Sequence, residues 1–219
     1  MERVLVFAPH PDDDIIGCGG SMAGHVQAGH EVAVVYMTSG EAGSTSYAKE
    51  ELARLREGEA RKALSLLGIN RLQFLRIADG CIEFTKDTIL RLMEIIRTYK
   101  PTVIYLPHSQ EAVSDHALTC RLVCEAARRA AGPWFQECPG EPWSVAKMLA
   151  YEVWTPLQQV NYVNNIDAYI DLKIAALEAH ASQTQIVQYH EAVRGLNRYR
   201  GVMTGRGRYC ECFQIITWA

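Results

Sequence analysis

No run in this chain approaches the roughly 20 apolar residues that a membrane-spanning helix needs. The first residues enter a strand-like apolar run rather than the charged-then-apolar order of an export signal, so a cytoplasmic protein is expected. Charge of one sign is also scarce. Lys and Arg number 22 against 25 Asp and Glu, a net charge of −3, which gives no electrostatic reason to expect a nucleic-acid partner. Internal repeats and low-complexity segments are absent, and 219 residues suit one α/β domain spanning 1–219. The seven cysteines are odd in number, and none has zinc-finger spacing. They read as reduced, mostly buried thiols. A dinucleotide fingerprint is missing as well. Gly17-Cys18-Gly19-Gly20-Ser21-Met22 lacks the third glycine, and no acid ends the next strand at Met37-Thr38.

What is present is concentrated in one turn. Val4-Leu5-Val6-Phe7 reads as a buried strand, Ser21 to Val26 as a helix, and Pro9-His10-Pro11-Asp12-Asp13-Asp14 lies between them. In open α/β sheets such a turn sits at the carboxyl ends of the strands, where ligands bind. His10 and Asp13 offer one imidazole nitrogen and one carboxylate oxygen to a divalent metal, a pairing typical of zinc and its neighbours. Asp12 would then lie beside the metal without binding it, as suits a general base acting on an activated water. The alternative is that the acids only cap the following helix, worth about 1 kcal/mol.

Pro9-His10-Pro11-Asp12-Asp13 followed by Gly17-Cys18-Gly19-Gly20 resembles the opening motif of the PIG-L/LmbE-like de-N-acetylases, metal-dependent amidases that remove acetyl groups from N-acetylated amino sugars. The resemblance implies His10 and Asp13 as metal ligands and Asp12 as the base. Asp14 stands where that family usually has Glu. Arg56-xx-Glu59-Ala60 with Leu67-Gly68 is similar to a second family segment, which implies that Arg56 faces the sugar. Asp79, in the Asp-Gly turn after a strand expected over 71–77, matches a position where the family often contacts substrate. A simple turn is the other reading.

The site is expected to close after a strand over 102–106, in Pro107-His108-Ser109-Gln110-Glu111-Ala112-Val113-Ser114-Asp115-His116. His116 supplies the third ligand, leaving positions open for water and substrate. Asp115 orients a ligand histidine from behind. The family's motif here is His-Pro-Asp-His, and Val113 replaces its first His, which normally acts as acid or electrophile. Either His108 takes that role, or the metal and another donor suffice, or the chain binds metal and has lost its chemistry. An active enzyme with His108 as replacement is the expectation taken forward.

Beyond the site, Trp134, Phe135 and Trp143 lie in a proline-rich connection, 132–143. They suit sugar stacking, local packing, or the subunit contact of a homo-oligomer. Strands are expected over 145–154 and 167–171, with a helix over 171–183. The last helix carries Leu196-Asn197-Arg198-Tyr199-Arg200-Gly201, similar to a segment of sugar-modifying relatives, and five arginines near its end. Those arginines either complement the helix pole or hold a phosphate, with Arg198 as a substrate contact. The fold expected is α/β, a Rossmann-like three-layer sandwich with a mainly parallel sheet. The function the resemblance implies is zinc-dependent (or other divalent metal) release of acetate from an N-acetylglucosamine-type substrate, free or nucleotide- or lipid-linked. The alternatives are a metal hydrolase of a non-sugar amide or ester, and a catalytically silent metal-containing sugar or nucleotide binder.

Overall fold

The apolar runs of this chain form a sheet buried on both faces, and the charged amphipathic segments form the helices that cover it. The computed structural model describes residues 1–219. Its first half alternates strictly: β1 (Arg3–Ala8), α1 (Asp13–Gln27), β2 (Glu31–Tyr36), α2 (Lys49–Leu66), β3 (Arg71–Phe74), α3 (Lys86–Tyr99), β4 (Val103–Pro107) and α4 (Ser114–Ala130). The second half runs β5 (Lys147–Tyr151), β6 (Tyr162–Asn165), α5 (Ile170–Glu178), α6 (Ala181–Thr184), α7 (Tyr189–Thr204) and β7 (Cys210–Trp218).

The sheet order is β3-β2-β1-β4-β5-β7-β6. The first five strands are parallel, while β7 runs antiparallel to both β5 and β6. Residues of β1 divide by parity. Val4, Val6 and Ala8 join the core under α1, α2 and α5, whereas Leu5 and Phe7 join the core under α3 and α4. Strand order reverses between β1 and β4, so the segments leaving their carboxyl ends open a crevice there. This switch point brings residues 9–14 and 108–116 together.

The glycines after the acidic turn serve close packing. A Cβ on Gly17 would lie 2.1 Å from the Tyr151 ring, and one on Gly20 would lie 2.8 Å from Ile166. Between them α1 breaks at Cys18 (φ −143°, ψ 21°). The break is spliced by a buried ion pair. Lys173 Nζ donates to the Ile16 carbonyl at 2.8 Å and to Glu211 at 2.7 Å. Glu211 accepts in turn from the N–H groups of Gly20 and Ser21, both at 2.8 Å, and from the Ser21 hydroxyl at 2.6 Å. Both the free carbonyl ending the first turn and the free N–H groups starting the second are thereby satisfied.

Elsewhere several boundaries differ from expectation. The third strand stops at Phe74, and Arg76 takes a left-handed φ of 54°. The strand expected over 167–171 lies earlier, at Tyr162–Asn165, because Asp167 makes a turn instead. Its carboxylate accepts the N–H groups of Arg208 and Tyr209. The expected helix over 171–183 is interrupted at Ala179 and His180 and resumes as the short α6. In the connection before β5, Arg97 is buried and donates to five carbonyls, those of Ala130, Gly132, Trp134, Phe135 and Cys138. Trp143 is consumed by local packing, its Nε1 bonded to the Pro101 carbonyl, while Trp134 remains 69% exposed.

Candidate metal centre and active-site cavity

Pro9 and Pro11 fix the backbone on either side of His10 as it leaves β1, and Asp12 at the start of α1 has φ 119°. A non-glycine residue there is strained, and such strain persists only where surrounding structure holds it. Arg56 of α2 does the holding. Its Nη2 donates to the Pro11 carbonyl at 2.6 Å and to Asp12 Oδ2 at 3.2 Å, and its Nη1 donates to the Gly40 carbonyl at 3.0 Å. Gly40 has φ 69°, and a Cβ there would fall 2.4 Å from the guanidinium, so both backbone and space require glycine.

Three ligand atoms converge beside Asp12. His10 Nδ1 lies 3.0 Å from Asp13 Oδ2, His116 Nε2 lies 3.3 Å from the same oxygen, and the two nitrogens are 3.3 Å apart. Tetrahedral zinc with bonds of about 2.0–2.1 Å requires ligand atoms about 3.3–3.4 Å apart. The triangle fits one face of that tetrahedron. All three residues also line a cavity of about 260 Å³, so the remaining coordination position would face it. His10, Asp13 and His116 are therefore a group able to hold a metal ion.

The His10 nitrogen that faces away from the triangle is backed by carboxylates. His10 Nε2 lies 3.0 Å from Asp79 and 3.5 Å from Asp115. Asp115 thus stands behind His10. Asp79 joins it there and also lines the cavity. Its second oxygen accepts the Ala42 N–H, and Glu41 accepts the Asp79 N–H, which pins the connection between β2 and α2 to the cavity wall.

Electrostatics divide the three consecutive acids. Burial pushes Asp12 up to about 7, with Asp13 adding to the rise and Arg56 opposing it. Burial acts on Asp13 in the same direction, but His116 and His10 outweigh it and hold that carboxyl below the usual range. Asp14 is raised to about 7 by burial although the Tyr36 hydroxyl donates to it at 2.9 Å, and its Oδ1 has no partner. His10 is held well above its usual value, because hydrogen bonds to Asp115, Asp13 and Asp79 outweigh its burial.

Two expected site residues lie elsewhere. His108 does not line the cavity: Nδ1 accepts the Gln110 N–H at 3.1 Å, and Nε2 faces the Thr155 carbonyl at 2.7 Å. With both nitrogens engaged by backbone, it is not placed to act on a group in the cavity. Arg198 donates to the Arg208 carbonyl and lies over the Tyr209 ring, outside the cavity. The arginine cluster is dispersed by private partners, since Arg194 pairs with Asp171 and Arg200 with Glu152. Arg56 does line the cavity, but it spends its guanidinium on Asp12 and the backbone.

Trp154, Gln183 and Tyr189 also line the cavity, and Val113 occupies the wall where the family motif has histidine. Sequence reasoning gave Gln183 no role, since α6 is too short for periodicity. It also passed over Glu111, a buried acid inside the very stretch quoted for His116. Two more voluminous clefts, of about 370 and 610 Å³, contain none of the metal-triangle residues.

Residues 5–127, more than half of the chain and all of this constellation as far as His116, match the family model described as GlcNAc-PI de-N-acetylase, PIG-L. The chain belongs to the PIG-L family. Among curated relatives, the diacetylchitobiose deacetylase of Thermococcus kodakarensis is 27% identical, over 99% of this chain and 84% of that protein. The 4-oxalmesaconate hydratase of Pseudomonas putida is 29% identical, over 99% and 90%. Among solved structures, the N,N'-diacetylchitobiose deacetylase of Pyrococcus horikoshii superposes with a TM-score of 0.90 at 29% identity, covering 98% of this chain and 84% of that one. This PIG-L domain therefore has deacetylases as near relatives, and its α/β fold is theirs.

Proposed function

We propose that this PIG-L protein removes the acetyl group from an N-acetylglucosamine-type amino sugar, using zinc held by His10, Asp13 and His116. The observation that carries the reading is the triangle of three ligand atoms beside a strained, Arg56-held Asp12 on one cavity wall. A zinc ion bound there would supply Lewis acidity toward the acetamide carbonyl and acidify an adjacent water. Asp12 acts as the base. Its Oδ2 is bonded to Arg56, and its Oδ1, with no protein partner, is free to take a proton from that water. The same carboxyl then returns the proton to the departing amine. The rival carboxylate, Asp79, has its oxygens engaged by His10 and the Ala42 N–H, and His108 is outside the cavity. Gln183, Tyr189 and Trp154 give the wall neutral hydrogen-bonding groups and aromatic faces, which suit sugar hydroxyls and the apolar face of a sugar ring.

Acetate release from free, nucleotide-linked and glycosidic N-acetylamino sugars, with added zinc and with chelator, tests this reading. Release should depend on metal, and Asp12→Asn should lower it by about 10²–10⁴-fold while zinc remains bound. Val113 favours a second reading, in which an apolar wall serves a non-sugar amide or ester. Zinc-loaded protein that is silent on every acetylated sugar but cleaves simple acyl amides or esters would establish it.

A further inference from the structure

The two histidines of the triangle are backed differently. His10 has Asp79 and Asp115, both reachable by short contacts, whereas the Nδ1 of His116 is buried and forms no hydrogen bond. The polar atom it faces is Glu111 Oε2, at 3.6 Å. For His116 to bind a metal through Nε2, Nδ1 must carry the proton, and a carboxylate behind it fixes both tautomer and ring orientation.

We propose that Glu111 is the positioning residue for His116, and that it ties this ligand to the rim of the cavity. Glu111 lies in the connection between β4 and α4 with its carboxylate wholly buried. It accepts the N–H groups of Val153 at 2.8 Å, Trp154 at 3.1 Å and Thr155 at 3.3 Å, and His108 Nε2 stands 3.3 Å away. The three amides converge on Oε1, and those of Trp154 and Thr155 also reach Oε2 at 3.2 and 3.3 Å, so the carboxylate is held ionised and immobile with Oε2 turned toward His116. The same amides shape the turn that places Trp154 on the cavity wall. One carboxylate therefore sets both the metal ligand and the aromatic edge of the cavity. His108, lodged between Glu111 and the Thr155 carbonyl, braces this assembly.

Glu111→Gln is the informative substitution. An amide can keep one oxygen toward the backbone N–H groups or turn it toward His116, but it cannot serve both. Zinc affinity, read by competition with a chromophoric chelator, should fall 10–100-fold. The visible absorption of the cobalt-substituted protein should change, while far-ultraviolet circular dichroism stays that of wild type. An unchanged affinity and cobalt spectrum in a folded variant would overturn the proposal. Should the variant fail to fold, nitrogen-15 NMR of the zinc-loaded wild type decides instead. His116 must then appear protonated at Nδ1 and metallated at Nε2, and the opposite tautomer would refute the role of Glu111. The inference rests on the metal reading above. Wild-type protein that takes up no zinc would sink that reading, whereas zinc uptake indifferent to Glu111 would sink this one alone.

Discussion

Two buried clusters of charge sit on α1, one at its break and one at its start, and they are built to different standards. At Cys18 the Lys173–Glu211 pair is complete. Both carboxylate oxygens are bonded, the ammonium meets a carbonyl and a carboxylate, and the Ile16 carbonyl and the Gly20 and Ser21 N–H groups have partners. At the start of the helix, Asp12, Asp13 and Asp14 crowd together, Asp12 is strained, Asp14 Oδ1 and Arg56 Nε are unbonded, and ring nitrogens converge on one point. Satisfied polar networks rigidify, while buried groups left unsatisfied are costly and mark places where something else is to be bound. The first cluster holds the helix so that the second can remain unfinished.

The largest expected effect comes from breaking the finished cluster. Lys173→Met leaves the Glu211 carboxylate uncompensated in the core and the Ile16 carbonyl without a donor. The loss should be about 3–5 kcal/mol in urea unfolding, and saturating zinc should not restore it. A loss below about 1 kcal/mol would mean that the backbone N–H groups alone suffice for Glu211.

Completing the unfinished cluster should have the opposite sign. Zinc at one hundred times its dissociation constant should stabilise the wild type by about 2.7 kcal/mol, and His116→Ala should abolish that increment. If His116→Ala were stabilised equally, the triangle would not be where the metal binds.

The contrast also explains what could be read from the sequence. The turn with His10 and Asp13 could be singled out because the two are close in the chain and sit where a parallel strand meets a helix, and the position of His116 after β4 pointed to the same crevice, where the three side chains do meet. The sheet was legible because its central strands are continuous apolar runs. Lys173–Glu211 was invisible, since those residues meet only when β7 lies beside β5 and α5 crosses α1. His108 was misjudged for a related reason. Its distance from Val113 along the chain suggested a replacement acid, but the backbone of 153–155, remote in sequence, claims its ring. Arg198 was read from local similarity, and Arg208 and Tyr209, which engage it, come from the next turn.

His180 gives the smallest test, and it belongs with the unfinished groups. Neither ring nitrogen has a partner, and the residue is fully buried in the break between α5 and α6. Burial lowers it to about 3, helped by Arg56 and opposed by Asp13. In the unfolded chain it titrates near ~6.5. Between those values the unfolded state binds the additional proton, so this group's contribution is complete above ~6.5 and is lost as pH falls toward 3. By pH 5.5 the loss amounts to about 1.4 kcal/mol. Asp14 works in the other direction, since a carboxyl raised to about 7 contributes in acid and loses that contribution as pH rises through 7. The two effects are separated by subtracting the stability of His180→Leu, measured over the same pH range. The difference should be flat above pH 7 and shift by about 1.4 kcal/mol in favour of the leucine variant at pH 5.5. Parallel curves would show that His180 acquires a proton as readily folded as unfolded, and would remove it from the list of groups this site leaves unpaired.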